Sequence, residues 1–260
     1  EMTRIGLNVP PGFVITTEAC LACLGAAGRN LPAGLLDTAR TEMASLERQT
    51  GKRFGGGDDP LLVSVRSGSA MSMPGMMDTI LNLGLNETTL AALIRHTGNE
   101  RFGYDAWRRF IQLFGKVALG VPDALFDEQF EAVKSRVGVK QDVMLGADEL
   151  REIGSRFLQV VQRHTGQPFP ADPYEQLEIA IKAVFNSWSG KRAIDYRREF
   201  KISSAMANGW PVSALGGKAE LMDLFSTTPG RPAFFAGTFN GHPATSAAGQ
   251  KPVLVPNESV

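Results

Sequence analysis

The chain has 260 residues and 43% hydrophobic content, enough apolar material for one large domain or two small ones. Lys+Arg and Asp+Glu both number 27, so no net field draws the chain to nucleic acid or to an anionic membrane. No uninterrupted apolar run approaches the ~20 residues needed to cross a bilayer, and no signal peptide is visible. The expectation is a cytoplasmic chain without a nucleic-acid or membrane partner.

In chain order, the first strand is expected at Gly12-Phe13-Val14-Ile15, followed by a helix that Thr16 or Thr17 caps and that carries Cys20 and Cys23. A zinc site needs two further ligands, yet His96, His164 and His242 are scattered singly along the chain. A thioredoxin-like pair belongs at the end of a strand. The pattern here predicts two reduced, mostly buried thiols instead. A second helix is expected from about Ala33 to Gln49. Leu61, Val63 and Val65 then alternate with Leu62, Ser64 and Arg66, the pattern of a strand with Ser64 and Arg66 on the face opposite the valines. Arg66 is expected to point out of the core, and Met76 to Leu81 to begin a helix after the intervening loop.

Residues 86–170 read helical at a period near 3.6. The apolar positions are Leu90, Leu93 and Ile94, then Trp107, Phe110, Ile111 and Phe114, then Ile153, Phe157, Val160 and Val161. Gly98-Asn99, Gly120-Val121-Pro122 and Pro168-Phe169-Pro170 separate these helices. His96 and His164 each precede Thr-Gly at a helix end, where positive charge suits the dipole, and neither is given a catalytic role. The Arg108-Arg109 pair is offset by nearby acids and reads as a solvated helix face or an internal contact. Residues 171–200 predict one helix with Leu177, Ile181, Val184, Phe185 and Trp188 on a single face. Beyond about residue 226 the chain is rich in Gly, Pro, Ser, Thr and Ala and ends in a loose tail. No internal repeat appears.

The stretch from Leu61 to Asn86 carries the clearest chemistry. A guanidinium stays charged and presents a fixed fork of donors, which suits the oxygens of a nucleotide phosphate. Gly68 and Gly75 allow close backbone approach, while Ser67, Ser69 and Ser72 add hydroxyls. Met71, Met73, Met76 and Met77 crowd around Pro74-Gly75, an apolar content hard to explain in a solvated loop. A helix beginning near Met76 would place its N-terminus by anionic oxygens.

This run resembles the ATP-binding segment of pyruvate, phosphate dikinase, and residues 1 to about 203 look like the N-terminal nucleotide-binding region of that family. The likeness is carried by Val9-Pro10-Pro11-Gly12-Phe13, Thr16-Thr17-Glu18-Ala19-Cys20, Arg101-Phe102-Gly103-Tyr104-Asp105 and Arg108-Arg109-Phe110. Later come Ala183-Val184-Phe185, Ser187-Trp188 and Arg192-Ala193-Ile194-Asp195-Tyr196-Arg197-Arg198. The resemblance implies an α+β chain holding part of an ATP-grasp fold, with ATP as ligand and Mg²⁺ beside it. It further implies a reaction in which ATP, pyruvate and phosphate give AMP, phosphoenolpyruvate and diphosphate. In the family a histidine on a swivelling domain carries the phosphoryl group to a pyruvate-binding barrel domain. Position by position, Arg66 matches an arginine that contacts ATP phosphates, and Met73 to Asp78 match the loop lining the site. The expected nucleotide-binding set is Arg66, Ser67, Gly68, Met73, Gly75, Met76, Asp78 and Thr79. The family's Gly-Gly-Lys-Gly segment, its acidic Mg²⁺ ligands and its two further domains are expected to lie outside this chain. That leaves it catalytically incomplete, with no catalytic or metal-binding residue assigned.

From about residue 205 to 248 the sequence is similar instead to fold-type I aminotransferases of the glutamate-1-semialdehyde group. Ala205-Met206-Ala207-Asn208-Gly209 and Phe234-Phe235-Ala236-Gly237-Thr238 carry that likeness. In those enzymes a lysine directly before Ala-Met-Ala-Asn-Gly forms the Schiff base with pyridoxal phosphate. Ser204 stands there in this chain, and a hydroxyl cannot form an imine, so pyridoxal phosphate is not an expected cofactor. The expected organisation is a first subdomain over 1–85 and a helical subdomain over 86–170. A returning helix over 171–204 and a foreign segment with a tail over 205–260 complete it. Lacking an inherited partner surface, residues 205–260 are expected to stay mobile. Two rival readings are a non-catalytic or chimeric remnant and an aminotransferase fragment.

Overall fold

The computed structural model of the chain describes residues 10–26, 30–67, 78–201, 212–217 and 251–253. The first apolar run forms strand β1 (Gly12–Ile15) as expected, and helix α1 (Thr17–Gly25) follows Thr16, which stands at the N-cap position without the side-chain cap hydrogen bond that was expected. Helix α2 (Leu35–Thr50) buries Leu35, Ala39, Met43 and Leu46, one stripe at helical spacing. Strand β2 (Arg53–Phe54) pairs in parallel with the start of β3 (Pro60–Ser67). Every residue of β3 from Pro60 to Val65 is buried.

The helix expected from Met76 is overturned where the structure describes it: Thr79–Leu83 form β4, antiparallel to β3. The reason lies in the register. Val63 pairs with Leu83 and Val65 with Ile80, so two steps along β3 meet three along β4. The extra residue is a bulge at Leu81-Asn82, with Asn82 at φ 59°. It lets Ile80 and Leu83 both be buried although they stand three apart, a spacing that imitates a helix. Gly84 follows at φ 95°, where a Cβ would lie 2.9 Å from the Phe54 ring.

Four helices then occupy the span read as helical: α3 (Glu87–Thr97), α4 (Glu100–Ala118), α5 (Asp123–Val137) and α6 (Ala147–Thr165). Asn86 and Thr89 form a reciprocal cap on α3, each side chain accepting from the other's backbone N–H at 2.9 and 2.8 Å. Helices α3 and α6 end at Gly98 and Gly166 with His96 and His164 in their last turns, as expected. Gly115 brings α4 close to its neighbours, since a Cβ there would lie 2.6 Å from Phe126 Cζ. Phe169, in the Pro-Phe-Pro boundary, packs on three rings of α4 at centroid distances of 6.0, 5.6 and 5.3 Å from Trp107, Phe110 and Phe114. A segment that reads as punctuation therefore also fills the core.

The single helix expected over 171–200 is two, α7 (Pro173–Ser187) and α8 (Lys191–Glu199). Arg197 holds the corner between them, donating to Trp188 O at 2.6 Å with its guanidinium 3.9 Å from the Trp188 ring centroid. In the segment expected to stay mobile, the described residues form strands, and the rest of 205–260 lies outside the described residues. Val212–Gly217 form β5, antiparallel to both β3 and β1, and Lys251–Val253 form β6, parallel to β1. The strand order is β2-β3-β5-β1-β6, with β4 on the other edge of β3 from β5. Unpaired backbone groups along β1 and β3 are a template for any extended segment, which is why these residues pair rather than stay mobile.

One buried amide ties helices to sheet. Gln176 on α7 is 0% exposed; it accepts from Gly84 N at 3.0 Å and donates to Leu85 O and Pro170 O, both at 2.9 Å. Gln176→Leu keeps the volume but orphans those three backbone groups, so it should lower the unfolding free energy by about 2–4 kcal/mol in a urea titration. A loss too small to measure would mean that the amide is not the tie.

Cys20 and Cys23 both stand on α1, partly and fully buried respectively. Burial, and then the neighbouring Cys23, push the Cys20 thiol from its ordinary 9.0 up to about 12. The fold therefore favours the neutral thiol. Its contribution to stability is present below pH 9.0 and is lost as pH rises toward about 12. Near neutral pH, a disulfide reagent should label the native chain at least about tenfold more slowly than the chain in denaturant. Equal rates would contradict a buried, protonated Cys20.

Candidate functional site

Arg66 is the seventh of the eight residues of β3, just past the fully buried run. Its α-carbon pairs with Thr79 on one side and Ser213 on the other. Ser67, the last residue of the strand, pairs with Val212. Arg66 was expected to point out of the core; it is half-buried instead, and its Nε is shut away from solvent. That burial pulls the guanidinium below the ordinary arginine value. A guanidinium nevertheless stays protonated at any physiological pH, so β3 ends in a partly desolvated positive charge.

Asp78 lies directly before β4 and meets Arg192 of α8 at 2.8 Å. These residues are 114 apart in sequence. The connection from β3 to β4 is thus held at both ends, by the Arg66–Thr79 pairing and by the Asp78–Arg192 ion pair. Of the expected set, Arg66, Ser67, Asp78 and Thr79 come together at this end of the strand pair. Gly68, Met73, Gly75 and Met76 lie outside the described residues. Arg192 was missed as a member of the site, because no local pattern links a helix-start arginine to an aspartate so distant in sequence. Ser64, two residues before Arg66, is 0% exposed and its Oγ makes no hydrogen bond.

An anion such as a polyphosphate fits this arrangement. A half-buried arginine interacts more strongly with a charge than an exposed one, since less water screens the pair. The hydroxyl-bearing residues Ser67 and Thr79 flank it. Among the described residues, no three His, Cys, Asp or Glu side chains gather as a metal cage. Also among the described residues, no helix is long and apolar enough to cross a membrane.

The other arginines of the family-like motifs serve structure. Arg101 donates to Leu145 O at 2.8 Å and to Asp142 O at 3.2 Å, clamping the segment before α6. Arg108, only 7% exposed, pairs with Asp105 at 2.7 Å and lies 4.7 Å from the Phe130 ring centroid. It is the internal contact of the two alternatives, while its half-exposed neighbour Arg109 pairs with the same Asp105 at 2.9 Å.

Residues 28–209, more than half of the chain, match the family model described as pyruvate phosphate dikinase, AMP/ATP-binding domain. The pyruvate, phosphate dikinase of Entamoeba histolytica is 56% identical over 214 residues, covering 82% of this chain and 24% of that protein. The Giardia intestinalis protein of the same name is 46% identical over 214 residues, with the same two shares of 82% and 24%. Pyruvate, phosphate dikinase 1, chloroplastic, of Oryza sativa is 48% identical over 203 residues, 78% of this chain and 21% of that protein. The chain spans about a quarter of the length of these relatives or less. With the matched residues running from α2 through both sides of the β3–β4 pair to α8, the chain belongs to the AMP/ATP-binding domain family of pyruvate phosphate dikinase.

Proposed function

We propose that this chain holds the polyphosphate of ATP at the open end of the β3–β4 pair, in an ATP-grasp-type arrangement. It is read as one part of a phosphotransferase that converts ATP, pyruvate and phosphate to AMP, phosphoenolpyruvate and diphosphate. The observation that supports this best is the partly desolvated guanidinium of Arg66 at the end of a buried strand. Its role is to bind and orient anionic oxygens and to offset their charge, the main task of protein groups in phosphoryl transfer. Asp78 does not face the phosphate on this reading. Its salt bridge to Arg192 fixes where β4 begins and so positions Thr79 across from Arg66.

The same reading divides the chain by task. Residues 1–85 and 171–204 form the phosphate-holding part, and 86–170 form a helical support. The partners are a phosphohistidine-bearing domain and a pyruvate-binding domain, and the setting is the cytoplasm, whose reducing conditions suit thiols. Mg²⁺, when bound with ATP, neutralises charge on the phosphates through ligands not assigned here. Residues 205–248 keep their resemblance to an aminotransferase. With Ser204 in the lysine position there is no amine for an imine, so no pyridoxal phosphate role enters this reading.

The test is a calorimetric or NMR titration of this chain with ATP. A dissociation constant in the high micromolar range or weaker is expected, because a site contributed by one lobe leaves much of the ligand in water. Arg66→Ala should weaken binding by at least about tenfold, the worth of a charge-assisted contact. Arg66→Lys should restore only part of it, since an ammonium lacks the planar fork. Unaltered affinity in Arg66→Ala would remove Arg66 from the site.

A further inference from the structure

We infer that Ser64 is a second phosphate contact, its hydroxyl donating to an oxygen of the polyphosphate held by Arg66; this rests on the nucleotide reading above. The first ground is the state of the hydroxyl itself. Ser64 is 0% exposed and its Oγ has no hydrogen-bond partner. Buried hydroxyls are nearly always satisfied, because leaving one bare forfeits the bonds it made to water. Its neighbours on β3 show what a purely structural position takes here: Leu61, Leu62, Val63 and Val65 are all apolar. Alanine would fill the place of Ser64 without the cost.

The second ground is placement. Residues two apart on a strand share a face, so Ser64 and Arg66 lie on one side of β3 and Val63 and Val65 on the other. Their α-carbons are separated by about 6.6 Å at the usual rise of about 3.3 Å per residue. An extended polyphosphate is long enough to span both positions. Arg66 would take the oxygens nearer the strand end and Ser64 those deeper along the strand.

The third ground is independent of both. The irregularity in the β3–β4 pairing falls opposite Ser64, where Leu81 and Asn82 together face one residue. Asn82 adopts φ 59°, one of two non-glycine residues at positive φ among those described. Bulges recur beside binding sites, where they re-aim neighbouring groups, and left-handed backbone at a non-glycine residue is retained where the surroundings require it. Here the distortion and the bare hydroxyl coincide.

The experiment compares this chain with its Ser64→Ala, Ser64→Cys and Arg66→Ala variants in titrations with ATP and with inorganic tripolyphosphate, alongside thermal unfolding without ligand. Ser64→Ala should bind both ligands about tenfold more weakly, with an unliganded melting temperature equal to or above that of the unaltered chain, since it deletes an unsatisfied group. Ser64→Cys, similar in size but a weak donor, should show the same loss. Three results would overturn the inference while leaving the nucleotide reading in place. One is unchanged affinity in Ser64→Ala while Arg66→Ala is impaired. Another is a loss for ATP but not for tripolyphosphate, which would make the hydroxyl a nucleoside contact. The third is a melting temperature lowered by several degrees, which would give the hydroxyl a partner within the protein. If the unaltered chain binds neither ligand, or Arg66→Ala binds as well as it does, the nucleotide reading falls and this inference falls with it.

Discussion

A strand buried on both faces holds a guanidinium most readily near its end, because a charge deeper in the core would lose more of its hydration. β3 follows that preference: five apolar residues and one serine fill Pro60 to Val65 before Arg66 appears. The surrounding architecture serves to keep this strand covered. β4 and β5 take up its backbone hydrogen bonds on opposite edges, and α7 packs against both β3 and β4. Gln176 then satisfies the backbone where β4 turns away at Gly84 and Leu85. Helices α4 and α6 form the most extensive contact between the described elements, and α7 packs on α4.

Those features of the fold that depend on local chemistry could be read from the residues. The helices between Glu87 and Thr165 announce themselves through a 3.6-residue apolar period, to which the structure adds Asn86 and Asn99 as caps, whose oxygens accept from the first turns of α3 and α4. β3 announces itself by alternation, and Arg66 by its position at the end of it. β4 was hidden because a bulge converts a period of two into a spacing of three, which copies a helical signature. The break between α7 and α8 was hidden because Trp188 keeps an apolar residue in register while the chain turns. The Asp78–Arg192 pair and the pairing of β5 with β3 join residues more than a hundred positions apart, and no periodicity reports on such contacts.

The family-like motifs also separate into two kinds once they are placed in three dimensions. Arg101, Arg108 and Arg197 each bind backbone carbonyls, an internal acid or an aromatic ring, and their arginine identity is explained by packing and by donor geometry. Arg66 and Arg192 stand where the chain leaves and re-enters the β3–β4 connection. An arginine-rich resemblance is therefore no direct measure of how much of a binding site it describes. Most of the guanidinium groups in these motifs hold helices together.

The bulge at Leu81-Asn82 carries a consequence for how such chains vary over evolutionary time. In a plain hairpin the length of the turn sets the register, so one residue gained or lost between the strands slides every side chain to the opposite face. Here β4 contains its own alignment mark. Ile80 and Leu83 can be buried together only if the extra residue falls between them. Residues can be inserted into or deleted from the connection before Asp78 without moving that mark, so the connection is free to change in length while Thr79 stays opposite Arg66. Indels between Ile80 and Leu83 have no such freedom, because each would turn one of two core residues out toward water.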